Sequence, residues 1–494
     1  MDAIQGGRVF IDPQFSDESD LIQKHCPEHD TPEFLQILQY LQFDGEENWF
    51  NLLKCLAKLP ADPPKERPEQ ALYHPRLGVV ESLEEYVNGL GLTMEELTGG
   101  GKPVFGGWFH PVRWLDGDLT HINALIEEIE QQDCLPLFCF YRRVPLADGK
   151  SKDTQWVLDN YFKKDGKTII DAFLNLMHFS LSLLRSKEAH LPGYLNVPRL
   201  QVVELFADYE HWSETFQAVS PLDVCASYAL PEFDGNLLTV PIATRDINQH
   251  DPHTGAVLQR HSPLPDRIAK VVRMAKNWAA LRHKPNQQKK VAIIFHNYPP
   301  SNQNIGNAIG LDSFASVAAI IQRLKEEGYV VDRTYDDPQE LADEIVNGLT
   351  SDQKWLTPEV MAARATDNAG SECTQAWTGE LPARNQEHMS KDWGQAPGEL
   401  FVHDAKVMIN GIINGNLYIG MQPPRGFIEQ PEKIHDPFMS PSHHYLYYYR
   451  WLRDVFKADA VMHIGCHGSL EWLPGNSVAL SRYCYPDLAI MELP

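Results

Sequence analysis

The segment HIGCHGSLEWLPG (463–475) gathers the side chains best suited to chemistry. His463, His467 and Glu471 stand at i, i+4 and i+8, but Gly465 and Gly468 break helical regularity, so the segment is predicted to be a strand-to-loop turn. Two imidazoles and a carboxylate suit a borderline divalent cation such as Co²⁺, Ni²⁺ or Zn²⁺, and the same groups can accept protons. A turn rich in glycine also lets a large ligand approach the backbone. A satisfied buried histidine pair at a sheet end is the alternative that these residues leave open. The zinc-protease pattern HExxH is excluded, because Ile464 stands where its glutamate should be.

Such groups need elements to hold them, and strand ends recur beside polar loops. The apolar run PVFGGWF (103–109) precedes His110, Arg113, Trp114 and Asp116. VAIIF (291–295) precedes His296, Asn297, Pro299 and three further asparagines, 302, 304 and 307. NLYIGMQ (416–422) ends on Gln422 and is followed by Arg425, Gly426, His435, Asp436, His443 and His444. DAVMHIG (459–465) leads into His467 and Glu471. Between these strands lie amphipathic stretches: THINALIEEIEQQ (120–132), SFASVAAIIQRLKEEG after the N-cap candidate Asp312, and the aromatic-rich HHYLYYYRWLRDVF (443–456). YVVD (329–332) reads as a further strand. Alternating strand and helix predict βαβ units with right-handed crossovers, and ligands of such sheets bind at the carboxyl ends of the strands. Tyr445, Tyr448 and Tyr449 could pack in the core or stack on a flat macrocycle.

The expected fold is therefore α/β and multidomain, with several βαβ units and parallel sheets. Residues 1–100 form an acidic, mainly helical N-terminal region, 101–285 an α/β domain, and 286–494 a second α/β domain that is incomplete at its C-terminus. A polar stretch, about 350–400, is expected to hold loops or a small insertion. With 43 basic and 67 acidic residues among 494, the net charge of −24 disfavours nucleic-acid and anionic-membrane partners. The eight cysteines form no CxxC pair and suit a reducing cytoplasm. No apolar run approaches the length of a membrane span, and the start, MDAIQGGRVFIDPQ, is not a signal peptide. GGGKP (99–103) is the nearest approach to a P-loop, and Pro103 stands where its Ser or Thr should be.

NYPPSNQNIGNAIGLDSFASVAAIIQRLKEEGY, LPEFDG (230–235), QPPRGF (422–427), HDPFMSPSHHYLYYYRWL and HIGCHGSLEWLPG resemble, in this order, signatures of the large subunit of cobaltochelatase, the CobN type. The H subunit of magnesium chelatase shares their ground plan. Trp472 and the QPPRG run are more similar to the cobalt branch. The resemblance implies a cytoplasmic tetrapyrrole-binding ligase subunit that inserts Co²⁺ into hydrogenobyrinic acid a,c-diamide during cobalamin synthesis. It also implies ATP hydrolysis by AAA+ partners of the CobS/CobT type, in keeping with the missing P-loop. Magnesium chelation, removal of metal from haem, and non-catalytic tetrapyrrole binding are the alternatives.

On this reading Glu471, His467 and His463 are the catalytic and metal-handling groups, with Mg²⁺ as the alternative cargo. Arg425, Gln422, His435, His443, His444, His296, Asn297 and Trp472 are substrate-binding candidates, Arg425 by pairing with acidic substituents at the ring edge. Cys466 and Asn476 stand where the family usually carries lysine. Family members are much longer, so a fragment or truncated member is expected.

Overall fold

The computed structural model describes residues 31–99, 101–143, 151–184, 193–253, 255–354, 356–426 and 436–494. VFGGWF and LPLFCFY are apolar on both faces, the signature of parallel strands covered on both sides. They form β3 (Val104–Phe109) and β4 (Leu135–Tyr141) of an eight-stranded sheet. Its other members are β1 (Gln70–His74), β2 (Gly78–Val80), β5 (Ala172–Asn175), β6 (Arg199–Glu204), β7 (Leu237–His250) and β8 (Val257–Pro263), in the order β8-β7-β6-β5-β3-β4-β1-β2. The strands from β4 across to β7 are parallel, and antiparallel strands close both edges. The acidic N-terminal region thus supplies β1 and β2 besides its helices, since Ala71, Leu72 and Tyr73 carry apolar side chains that this edge buries.

Helix α1 (Thr120–Gln131) buries Ile122, Leu125, Ile126 and Ile129 at three- and four-residue spacing. It shares one face of the sheet with α2 (Pro265–His283), where Ile268, Val271, Val272 and Ala275 complete the core. The opposite face is covered by Tyr86 and Val87 and by Val157, Leu158 and Tyr161 from two shorter helices.

The second sheet runs β10-β11-β9-β12, from β9 (Val291–Phe295), β10 (Ile412–Asn414), β11 (Leu417–Met421) and β12 (Ala460–Ile464). β9 lies between β11 and β12 and is parallel to both, while β10 is antiparallel. Helix α3 (Ser313–Glu326) starts where expected, with Asp312 accepting a hydrogen bond from the Ala315 amide at 2.9 Å, and buries Val317 and Ile321 on one face of the sheet. Helix α4 (His443–Trp451) covers the other face, and all nine of its residues are buried. The chain continues through residues 452–456 as a wider π turn.

Two expectations change. YVVD is not a strand: Asp332 and Arg333 donate their amides to the side chain of Asn414 at 3.0 and 2.8 Å, in place of a sheet ladder. The polar stretch of 350–400 is mostly helical, with helices at Pro358–Arg364, Ser371–Gly379 and Ala383–Trp393. Thr357 caps the first of them, and scattered apolar anchors such as Met361, Trp377 and Met389 hold all three, although no long apolar stripe marks them. Among the described residues no helix is long and apolar enough to cross a membrane.

The last helix, α5 (Tyr485–Ile490), is tied back to α2 by a buried ionic triad. Asp487 receives Arg267 Nη1 at 2.9 Å and Lys270 Nζ at 2.7 Å, all three side chains being nearly inaccessible. Removing the carboxylate leaves two desolvated cations facing each other. Asp487→Ala is therefore expected to cost about 3 kcal/mol or more, read as a lower midpoint in denaturant unfolding, whereas an unchanged midpoint would show that α2 and α5 do not depend on the triad.

Candidate active-site cleft

Three parallel strands end level. Phe295 of β9 is in register with Met421 of β11 and Ile464 of β12, so His296, Gln422 and Gly465 follow side by side. The ladder extends one step further on both sides, His296 N–H donating to the Ile464 carbonyl at 2.8 Å and Gln422 N–H to the Phe295 carbonyl at 2.9 Å. Because β9 connects to neighbours on opposite sides, this edge is a topological switch point. A cleft of about 270 Å³ opens there, lined by His296, Gln422, His463, Cys466, His467 and Glu471, with backbone from 464, 465 and 468.

Buried Gln422 organises the cleft. Its Nε2 donates to the hydroxyls of Tyr449 at 3.0 Å and Tyr445 at 3.3 Å, both from α4. Its Oε1 accepts the Ser469 amide at 2.8 Å, which fixes the loop after β12. The Tyr445 hydroxyl meets Ser469 Oγ at 2.8 Å. With Tyr449 accepting from Gln422, its own proton is available to His463 Nε2, 3.0 Å away. His463 is exposed toward the cleft, while the protein packed behind the ring desolvates it; that desolvation lowers its pKa to about 4, so the ring is neutral at pH 7.

Glu471 and His467 form the outer wall and are well exposed, with His467 Nδ1 3.9 Å from Glu471 Oε1. The same oxygen accepts the Gly468 amide at 3.1 Å, which aims the carboxylate across the loop. His296 closes the floor. Its Nδ1 is buried without a partner, and burial lowers its pKa against the pull of Glu471. Gly465 permits this closeness: at φ +155°, a Cβ there would lie 2.4 Å from His296 Cβ.

His296, Gln422, His463, His467 and Glu471 are thus brought to one cleft, and Trp472 exposes about half of its surface at the loop that bounds it. The other candidates lie differently. Arg425 is buried, and its guanidinium clasps the carbonyls of Trp472, Asp436 and Met439. His443 and His444 sit at the buried start of α4, donating from Nε2 to the carbonyls of Gly394 and Met408, each at 3.0 Å. Asn297 turns into its own loop, accepting the Ser301 amide at 3.3 Å. His435 lies outside the described residues. Cys466 Sγ accepts the Ile309 amide at 2.9 Å, and Asn476 donates to the Trp212 and Ala479 carbonyls at 3.3 and 3.2 Å.

The polar roles of Tyr445, Tyr449 and Ser469 were not read from the sequence. The four-residue spacing of the two tyrosines, set against Gln422, is the signal that carries them. His463, His467 and Glu471 line the cleft without a closed ligand shell. Among the described residues, ligand atoms of a His/Cys/carboxylate trio come within 4.8 Å of one another only at Asp118, His121 and His261, in the first sheet.

An open α/β chain with imidazoles and a carboxylate at a strand switch point belongs to the class of ligand-handling α/β proteins. The chain is a member of the CobN/Magnesium Chelatase family, whose profile matches residues 38–494. It is 37% identical to an uncharacterized protein of Methanocaldococcus jannaschii, over 93% of this chain and 38% of that one. It is 30% identical to the aerobic cobaltochelatase subunit CobN of Pseudomonas aeruginosa, over 92% and 35% of the respective chains. It is 28% identical to the chloroplastic magnesium-chelatase subunit ChlH of Oryza sativa subsp. indica, over 93% and 33%. The solved catalytic subunit of cobaltochelatase from Mycobacterium tuberculosis superposes with a TM-score of 0.71 at 28% identity, over 94% of this chain and 37% of that one. The chain spans between a third and two fifths of the length of these curated relatives.

Two outcomes follow from the geometry. Gly465→Ala forces a Cβ into His296 and is expected to destabilise the fold by about 2 kcal/mol or more in denaturant unfolding; a neutral effect would mean that the two strand ends are not locked together. His444 is fully enclosed, and burial lowers its pKa from 6.5 to about 4, outweighing its bond to the Met408 carbonyl. The folded ring therefore resists protonation, and its contribution is fully present above pH 6.5 and lost as pH falls toward 4. At about 1.4 kcal/mol per pKa unit, that loss is about 3 kcal/mol. Stability measured from pH 7 to 4 should fall less steeply in His444→Gln; an identical slope would refute the assignment.

Proposed function

We propose that this chain carries the tetrapyrrole- and metal-handling site of the large subunit of a metal chelatase, a ligase that forms nitrogen–metal bonds. On this reading the cargo is Co²⁺ and the macrocycle is hydrogenobyrinic acid a,c-diamide, an intermediate of cobalamin synthesis in the cytoplasm. AAA+ subunits of the CobS/CobT type hydrolyse the ATP. The observation that carries the reading is the convergence of His296, His463, His467 and Glu471 on one cleft, in a chain whose family profile runs nearly end to end.

The chemistry asks for two things. Two pyrrolic N–H protons must leave the ring, and the hydrated cation must shed water. Glu471 is the proton acceptor of choice: one oxygen is held by the Gly468 amide, and the carboxylate is open to solvent, which lets it discharge a proton. His467, 3.9 Å away, shares that proton or a passing cation. His463 and His296 are neutral imidazoles at pH 7, so their lone pairs can replace water on a divalent ion. An incomplete ligand shell suits a cation that must be handed on rather than kept. The rim supports a flat apolar guest: Ile309, anchored to Cys466, is 95% exposed, and Phe438 and Trp472 are 80% and 48% exposed near the Arg425 clasp.

Two measurements test this. Absorption titration should detect binding of hydrogenobyrinic acid a,c-diamide in preference to protoporphyrin IX. Preference for the porphyrin, with Mg²⁺ dependence, would favour the magnesium branch, and binding of neither would refute the reading. Glu471→Gln should lower metal insertion, assayed with AAA+ partners, by about 100-fold or more while leaving macrocycle affinity within a few-fold. Unchanged turnover would remove Glu471 as the base.

A further inference from the structure

The first sheet carries a polar cluster that the cleft chemistry does not use. Glu204 ends β6, Asp118 lies just before α1, His121 is in its first turn, and His261 lies on the edge strand β8. All four are buried, at 2%, 6%, 0% and 3% exposure. Glu204 Oε1 lies 2.5 Å from His121 Nε2, and Asp118 Oδ2 lies 2.6 Å from His261 Nδ1. The two imidazole rings are 5.0 Å apart between centroids. Arg113 holds the outer side of the cluster, meeting Glu204 Oε2 at 3.0 Å through Nε and Asp118 Oδ2 at 3.1 Å through Nη1. Asp118 Oδ1 is taken by the His261 amide at 2.9 Å. His121 Nδ1 and His261 Nε2 are buried with no partner.

Charge makes this arrangement incomplete. At contact distance two carboxylates share one guanidinium, that of Arg113, when both imidazoles are neutral; Arg245 acts on both carboxylates from further away, and His178 Nε2 lies 3.9 Å from Glu204 Oε2. An imidazolium proton or a bound cation would complete the balance at contact distance. Two imidazole nitrogens and two carboxylate oxygens from three separate segments form a donor set for a borderline first-row divalent ion. The groups that orient the carboxylates, Arg113 and a backbone amide, stand where outer-shell partners of such a site belong.

We propose that Asp118, His121, Glu204 and His261 form a closed structural site for a divalent cation of the zinc–cobalt kind, pinning the β8 edge and the start of α1 to the parallel sheet. It is separate from the chelatase cleft. Full enclosure by protein ligands fits a resident ion, in contrast to the open cleft of His467 and Glu471.

The test uses the full chain without tetrapyrrole or partners, so its outcome is independent of the proposed enzymatic activity. Protein stripped with a chelator is loaded with Zn²⁺, desalted and assayed for metal. Loading with Co²⁺ reports ligand geometry through its visible d–d bands. Wild type and Glu471→Gln should each retain one equivalent, and His121→Gln and His261→Gln should lose it together with the Co²⁺ spectrum. Zn²⁺ should raise the Tm of wild type but not of His261→Gln. If those variants do not fold, Asp118→Asn keeps the acceptor for the His261 amide and must show the same loss. Retention of metal by a folded His261→Gln, loss of it on Glu471→Gln, or no retention by folded wild type would overturn the site. The last result would assign the balancing charge to an imidazolium proton.

Discussion

The amide of Gln422 is the interaction on which the cleft depends. It follows the last ladder position of β11, donates to two tyrosines of α4 and accepts the amide that opens the loop carrying Glu471. One side chain thus joins a strand, a helix and a loop at hydrogen-bonding distance, with no water-exposed slack. A buried amide left unsatisfied costs about 1–3 kcal/mol, so the network holds as a unit or not at all. Through Tyr449 it also reaches His463 and holds one nitrogen of that ring. The exposed pair, His467 and Glu471, is held only at the backbone of its own loop, which leaves it free to exchange protons and cations.

Both lobes follow one plan. Each places a central parallel strand between neighbours reached by crossovers to opposite sides; the second gathers polar groups at that switch point, the first beyond β3 and at the end of β6. In the second sheet those groups stay open to a cleft. In the first they are sealed beneath α1 and the β7–β8 hairpin. The same geometry thereby yields a transit site in one lobe and an enclosed cluster in the other. The difference lies in what covers the strand ends.

Electrostatics within the protein depart from the overall charge of −24. Burial keeps His74, His178 and His444 neutral, each with a pKa lowered to about 4, and desolvation by the protein packed behind it does the same for His463 at the cleft. Buried cations are paired where lobes meet, as Arg267 and Lys270 are on Asp487. The overall acidic excess therefore does not describe these buried sites, where charge is matched locally.

Much of this was legible in the amino-acid order. Runs such as VAIIF and LPLFCFY state their own burial, and the period of SFASVAAIIQRL states a helix, since these signals depend on near neighbours alone. YVVD misled because its strand-like composition is satisfied by the side chain of Asn414, some eighty positions away in sequence. The clustering of His463, His467 and Glu471 beyond a strand end could also be read, as eight-residue spacing confines them to one turn. What only the tertiary structure decided is which distant groups join them. His296 arrives because β9 sits between β11 and β12, whereas Arg425, His443 and His444 turn inward because nearby carbonyls need donors. Asp118 and His121 stand three residues apart, but no spacing links them to Glu204 or His261. Strand order, a consequence of how whole sheets bury their faces, brings them together.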